Sequence, residues 1–152
     1  MNLVLCGMMG CGKTTVGKLL ARALSWVWVD TDELIVSRHG KITDIFQQKG
    51  EAFFRALETE TVKTLAKKDR LVISTGGGLV LRSENVSFLK EQGTIVYLRA
   101  RKQTLISRLA ADKDRPLLQT AEGLDEKLTK LLTGCYESCP TLLEMVMPII
   151  MA

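Results

Sequence analysis

Gly7-Met8-Met9-Gly10-Cys11-Gly12-Lys13-Thr14 fits the phosphate-loop pattern G-x-x-x-x-G-K-[ST] without a mismatch. The loop's mechanism demands a strand before it and a helix after it. Leu3-Val4-Leu5-Cys6 reads as a short buried strand. From Thr14 onward Val16, Leu19, Leu20 and Ala23 recur at helical spacing, with Lys18 and Arg22 on another face. Three glycines let the backbone fold round an anion with its N–H groups turned inward, and the helix N-terminus adds the positive end of its dipole. Gly10, Cys11, Gly12, Lys13, Thr14 and Thr15 are therefore the expected nucleotide-binding residues. Lys13 would reach the terminal phosphates and the Thr14 hydroxyl would ligate Mg²⁺. The implied ligand is a nucleoside triphosphate.

The 152 residues amount to one domain, large enough to bury a core without disulfides or a structural metal. A net charge of +4 comes from basic residues scattered among acids, and aromatics make up only 5%. A nucleic-acid surface usually shows a dense basic stripe with interleaved aromatics, so small anionic ligands explain the balance as well and no nucleic-acid partner is expected. The four cysteines form no disulfide framework. Cys6 ends a buried strand and Cys11 lies inside the phosphate loop. Cys135 and Cys139 lack the second pair or histidine of a zinc site and read as helical packing residues. No basic leader precedes the first strand, and the apolar run from Leu142 to Met151 contains Glu144 and Pro148 and falls short of the ~20 residues of a membrane span. The expectation is a cytoplasmic monomer with no membrane partner.

Further along, Trp26-Val27-Trp28-Val29 reads as a strand running into Asp30-Thr31-Asp32. In an α/β chain this puts both carboxylates at the carboxyl edge of the sheet, beside the phosphate loop. If the strand geometry persists both point the same way, whereas a turn after Asp30 separates their roles. Asp30 is read as an outer Mg²⁺ ligand through water and Asp32 as the acceptor for a substrate hydroxyl; capping of a following helix is compatible with either role. A helix from Asp32 to Arg38 closes at Gly40, with His39 at its C-terminal end. Thr43-Asp44 is expected to cap a short helix ended by Gly50. A longer helix, Glu51 to about Lys68, carries Phe53, Leu57, Val62 and Leu65 towards a core, with Arg55 and Glu58 one turn apart.

Leu71-Val72-Ile73-Ser74 is the next strand, and it leads directly into Thr75-Gly76-Gly77-Gly78. Three glycines after a buried strand suggest that something approaches that backbone closely; a flexible connection is the plainer alternative. A helix from Ser83 to Lys90 ends at Gly93, and Thr94 to Leu98 forms a strand. A helix follows from Lys102 to about Ala111, then the charged stretch Asp112-Lys113-Asp114-Arg115-Pro116, and then a helix from Asp125 to about Thr133. Met145 to Ile150 can form a fifth strand, which Pro148 confines to an edge. Alternating strands and helices give a parallel α/β sheet covered on both faces, a three-layer αβα arrangement. GTPase switch and guanine-reading motifs are absent. A small-molecule kinase is the economical reading.

The combination resembles the shikimate kinase family over Leu3 to about Leu118. It rests on the phosphate loop, Asp30-Thr31-Asp32, Gly50-Glu51-Ala52-Phe53-Phe54-Arg55 with Glu58, Ser74-Thr75-Gly76-Gly77-Gly78, and Arg115-Pro116-Leu117-Leu118. The resemblance implies a P-loop kinase fold with a five-stranded parallel sheet in the order 2-3-1-4-5. It also implies transfer of the ATP γ-phosphate to the 3-hydroxyl of shikimate, within aromatic amino-acid biosynthesis. Carried over, Asp32 binds ring hydroxyls and acts as base, and Arg55 binds the substrate carboxylate with Glu58 fixing its orientation. Gly76, Gly77 and Gly78 contact the ring, and Arg108 stacks on adenine. Arg115 closes over the phosphates from a lid at about residues 110–122. Residues 31–60 would form the substrate-binding part of a single kinase domain. The family's second carboxylate-binding arginine falls at Leu132, just before Tyr136-Glu137, and Lys130 is the only nearby cation. Members also usually continue past the fifth strand. These two departures leave two alternatives, a kinase for another small hydroxylated acid such as gluconate, and a nucleotide-binding protein that has lost catalysis.

Overall fold

A computed structural model of the chain describes residues 1–110 together with 145–146. The expectations for Arg115 and the rest of the lid, the Asp125–Thr133 helix, Lys130, Leu132, Tyr136, the two late cysteines and the end of the last strand lie outside the described residues. The elements run β1 (Asn2–Gly7), α1 (Lys13–Leu24), β2 (Val27–Asp30), α2 (Thr31–His39), α3 (Ile42–Ala66) and β3 (Leu71–Ser74). After a single 3₁₀ turn at Leu79–Leu81 come α4 (Ser83–Gln92), β4 (Gly93–Arg99), α5 (Lys102–Ala110) and β5 (Met145–Val146). The sheet has five strands in the order β2-β3-β1-β4-β5, every pairing parallel, with β5 at an edge beside Leu98 and Arg99. The 2-3-1-4-5 order is thus the one found.

Period-two alternation divides the strands between two helical layers. Val4, Cys6, Leu71, Ile73, Ile95 and Tyr97 meet Val62 and Leu65 of α3 and Val86 and Leu89 of α4. From the opposite face Leu5, Val72, Val96 and Leu98 meet Val16 and Ala21 of α1. A third cluster, Ile35, Ile45, Phe54 and Leu57, joins α2 to α3 at the side of the sheet. No helix among the described residues is long and apolar enough to cross a membrane.

Four local expectations are corrected. In α1 the buried residues are Val16, Gly17 and Ala21, while Leu19 is 60% exposed and Ala23 is exposed as well. Gly17 sets this rotation: a methyl group there would come 2.6 Å from Trp28 Nε1 and 2.8 Å from Ser74 Oγ, so only its bare backbone fits against β2 and β3. In α3 it is Phe54, not Phe53, that is buried; Phe53 lies on the outside beneath the Lys49 ammonium. The helix also starts one residue before Thr43, with Lys41 at the N-cap, and the Thr43 hydroxyl meets Asp44 rather than a backbone N–H. Gly50 does break the run, at φ 80° and ψ 171°. Gly93 ends α4 as its C-cap, but β4 already begins there, one residue before the expected Thr94: Gly93 pairs with Asn2, whose carbonyl a Cβ would approach to 2.8 Å.

Candidate active site

The carboxyl ends of β1, β2 and β3 bring three segments together. In the phosphate loop Gly10 and Gly12 have φ of 78° and 99°, the left-handed region where a side chain is strained. At Gly7, a Cβ would collide with the Leu98 carbonyl of β4. The loop turns on the hydrogen bond from Cys11 N–H to the Met8 carbonyl, 3.2 Å. Lys13 folds across it, its Nζ donating to the carbonyls of Gly7 at 2.7 Å and Met8 at 2.9 Å and lying 3.8 Å from Cys11 Sγ. Thr14 and Thr15 are exposed in the first turn of α1, where unpaired backbone N–H groups face outward. Arg108 reaches the same loop from α5, its Nη1 donating to the Gly10 carbonyl at 2.9 Å. An ammonium, a guanidinium and a helix N-terminus thus converge on one small loop, a setting for polyphosphate.

Asp30 is extended and Thr31 is already helical, so the chain turns immediately after Asp30 and the two aspartates part company. Asp30 Oδ1 caps α2, accepting from the N–H groups of Asp32 at 2.9 Å and Glu33 at 3.2 Å. The Asp32 carboxylate instead lies against the glycine triplet: a Cβ on Gly76 would come within 2.5 Å of its Oδ1. Gly78 is likewise backed by Arg55, whose Nη1 would lie 2.6 Å from an added Cβ. The triplet is therefore a place of close approach, and the flexible-connection alternative does not hold. Asp32, Arg55 and Gly76 to Gly78 share one site; Arg108 belongs with the phosphate loop.

Arg55 stands on the second half of α3, half-buried, with its guanidinium 5.6 Å from the Phe54 ring centre. Nη1 donates to Glu58 Oε2 at 2.8 Å; Nη2 and Nε donate to Glu51 Oε1 at 3.1 and 3.3 Å. Burial of Arg55 works to lower its pKa, but the hydrogen bond and charge of Glu58, followed by those of Glu51, outweigh it and raise the value above the ordinary one. Glu58 is 1% exposed. Burial is the largest influence on it and lifts its carboxyl above the usual glutamate range, against the pull of Arg55; the Asp32 charge adds to the lift and Arg82 opposes it. The site consequently holds a charged, oriented guanidinium, one buried carboxylate behind it and one exposed carboxylate in front.

Several contributors, most of them inside the quoted motifs, had no role assigned from the sequence. Thr31 Oγ1 accepts the N–H of Gly76 at 2.9 Å. Ser74 Oγ donates to the Lys13 carbonyl at 3.1 Å and accepts from Trp28 Nε1 at 3.1 Å, tying β3 to the start of α1 and giving Trp28 a packing role. Phe46 and Phe54 form a tilted ring pair 4.9 Å apart beside Arg55. Only Glu51, four residues before Arg55, was detectable from helical spacing. A separate hollow of about 290 Å³, lined by Val27, Val29, Leu34, Leu65 and Leu71 with Arg38 and Lys68, includes none of the site residues.

The sequence pattern of the family described as shikimate kinase matches residues 9–144 of this chain. A shikimate kinase of Thermodesulfovibrio yellowstonii is 47% identical over 132 residues, covering 86% of this chain and 76% of that protein. One from Moorella thermoacetica is 47% identical over 125 residues, covering 82% and 72%. Among solved structures, a shikimate kinase from Acinetobacter baumannii in complex with shikimate superimposes with a TM-score of 0.84 at 37% identity, covering 97% of this chain and 84% of that one.

Proposed function

The chain belongs to the shikimate kinase family, and on that footing we propose that it is an ATP-dependent kinase that phosphorylates the 3-hydroxyl of shikimate, giving shikimate 3-phosphate and ADP in aromatic amino-acid biosynthesis. The observation that carries the reading is the convergence of Asp32, Arg55 and the glycine triplet on one spot at the carboxyl end of the sheet. A carboxylate, a fixed guanidinium and bare backbone are what a small polyhydroxylated acid requires.

Arg55 binds the shikimate carboxylate as a planar fork. Glu58 holds that fork from behind, and the exposed Glu51 gives way to the incoming carboxylate. Gly76, Gly77 and Gly78 let the ring approach the backbone. Asp32 accepts the proton of the 3-hydroxyl as that oxygen attacks the γ-phosphorus, and the bond between γ-phosphorus and the bridging oxygen breaks to release ADP. The backbone from Gly10 to Thr15 and the Lys13 ammonium cradle the phosphates, Arg108 lies against the adenine, and Arg115, by the family resemblance, completes the charge balance. Residues 31–60 form the acceptor side of a single domain.

Thr14 and Asp30 fit Mg²⁺. Both are hard oxygen donors, and Asp30 Oδ1 alone carries the helix cap, which leaves the other carboxylate oxygen for an ordered water. Among the described residues no group of three or more acidic, histidine or cysteine side chains gathers to hold a metal alone; a phosphate-bound Mg²⁺ needs only one or two protein oxygens. When bound, the ion neutralises phosphate charge. We place the protein in the cytoplasm as a monomer acting on small molecules, with no nucleic-acid or membrane partner.

The deciding experiment is ADP release with ATP, Mg²⁺ and shikimate, against a control without shikimate and a Lys13→Ala variant. Turnover that depends on shikimate and vanishes in the variant is the expected result. Absence of turnover with ATP still bound would overturn the reading. Leu132, at the position of the second carboxylate-binding arginine, makes gluconate the informative second substrate; a shikimate kinase leaves it untouched.

A further inference from the structure

Resting on the function just given, we propose that Thr31 is a positioning residue for the acceptor site, holding the glycine triplet against Asp32. Thr31 is fully buried at the first position of α2. Its hydroxyl serves a backbone 45 residues away, accepting the N–H of Gly76 at 2.9 Å. That N–H has left the ladder, since the last paired residue of β3 is Ser74, opposite Asp30. Without Thr31 it would be a buried donor lacking this acceptor, a costly condition.

The placement of this bond gives it a function beyond satisfaction. Thr31 is joined to Asp32 through one peptide bond and to Gly76 through the hydrogen bond, while the Asp32 carboxylate abuts the Cα of Gly76. The three contacts close a small triangle that leaves the proton-accepting carboxylate and the ring-contacting backbone no freedom to drift apart. At the far end of the turn the buried Asn85 amide donates to the Leu79 carbonyl at 2.9 Å. The triplet is therefore clamped at both ends by buried side chains.

The neighbouring contacts point to the other substrate. Ser74 bonds the Lys13 carbonyl, and Thr75 N–H bonds the Leu5 carbonyl at 3.0 Å, so those two residues tie β3 to the phosphate loop and its strand. Thr31 alone of this set ties it to the acceptor carboxylate. Its loss should therefore be selective for the acceptor.

The test compares Thr31→Val, which keeps the shape but removes the acceptor, with Thr31→Ser, which keeps the hydroxyl. For Thr31→Val we expect kcat/KM for shikimate to fall by about ten-fold or more, with the KM for ATP within about two-fold of the parent. Thr31→Ser should restore most of the loss. Amide exchange at Gly76 should accelerate in the valine variant alone. Should Thr31→Val fail to fold, Thr31→Cys, with a weak sulfur acceptor, must show the same acceptor-selective loss. An unchanged shikimate kcat/KM, or equal damage to both substrates, overturns the proposal while leaving the function intact. A parent protein without shikimate-dependent turnover overturns the function, and the proposal with it.

Discussion

Arg55 meets two carboxylates that differ in what they can give up. Glu51 is 66% exposed and Glu58 1%, so the first contact is worth at most about 1 kcal/mol and is easily exchanged for a ligand, while the second is a fixed mount. Arg55→Ala should raise the KM for shikimate by tens-fold or more with little change in the KM for ATP, as initial-rate kinetics would read. Glu58 makes a different statement, about pH. Burial raises its pKa in the folded protein above the ordinary 4.5, so the native state holds the proton more tightly than the unfolded chain does. Its contribution is complete below the ordinary value and is lost as pH rises through the folded value. Urea unfolding from pH 4.5 upward should therefore show the parent losing stability relative to Glu58→Gln across that window.

Helix α1 is held to the sheet at Gly17, where its backbone touches the Trp28 indole and the Ser74 hydroxyl. Gly17→Ala improves intrinsic helix propensity by about 1 kcal/mol, yet the added methyl overpacks that contact. The net expectation is destabilisation of about 1–3 kcal/mol and a disturbed Lys13, measured as a lower denaturant midpoint together with weaker ATP binding. Elements whose order is set by local chemistry were legible from the chain: the phosphate loop between strand and helix, the Gly40 and Gly50 stops, and β3 to the residue. What was not legible depends on partners distant in sequence. The rotation of α1 is decided by Trp28, the start of β4 by the Asn2 carbonyl, and the choice of Phe54 over Phe53 by a cluster drawn from α2 and both halves of α3. In the candidate site the charged residues stood out through their motifs. Thr31 and Ser74 sit in the same motifs but their roles were not legible, because a hydroxyl's role lies in the acceptor or donor it meets, and those meetings span 45 and 61 residues.

On the scale of the molecule, phosphate chemistry and acceptor chemistry are mounted on one rigid sheet, with the nucleotide loop following the central strand β1. A ligand that binds only the folded form stabilises it by mass action. ATP with Mg²⁺ at about a hundred times its Kd should add about 2.7 kcal/mol, a rise of several degrees in thermal midpoint, and Lys13→Ala should forfeit most of it. The order β2-β3-β1-β4-β5 also has a consequence for synthesis. β1 leaves the ribosome first, but neither of its neighbours is β2; it must wait for β3, which begins at Leu71. Nearly half the chain is therefore made before any two strands can pair, and during that interval the phosphate loop is attached to a strand with no sheet. A nascent chain stalled with β3 still inside the exit tunnel should not bind ATP, and one that has released β3 and β4 has gained the three central strands from which the loop hangs.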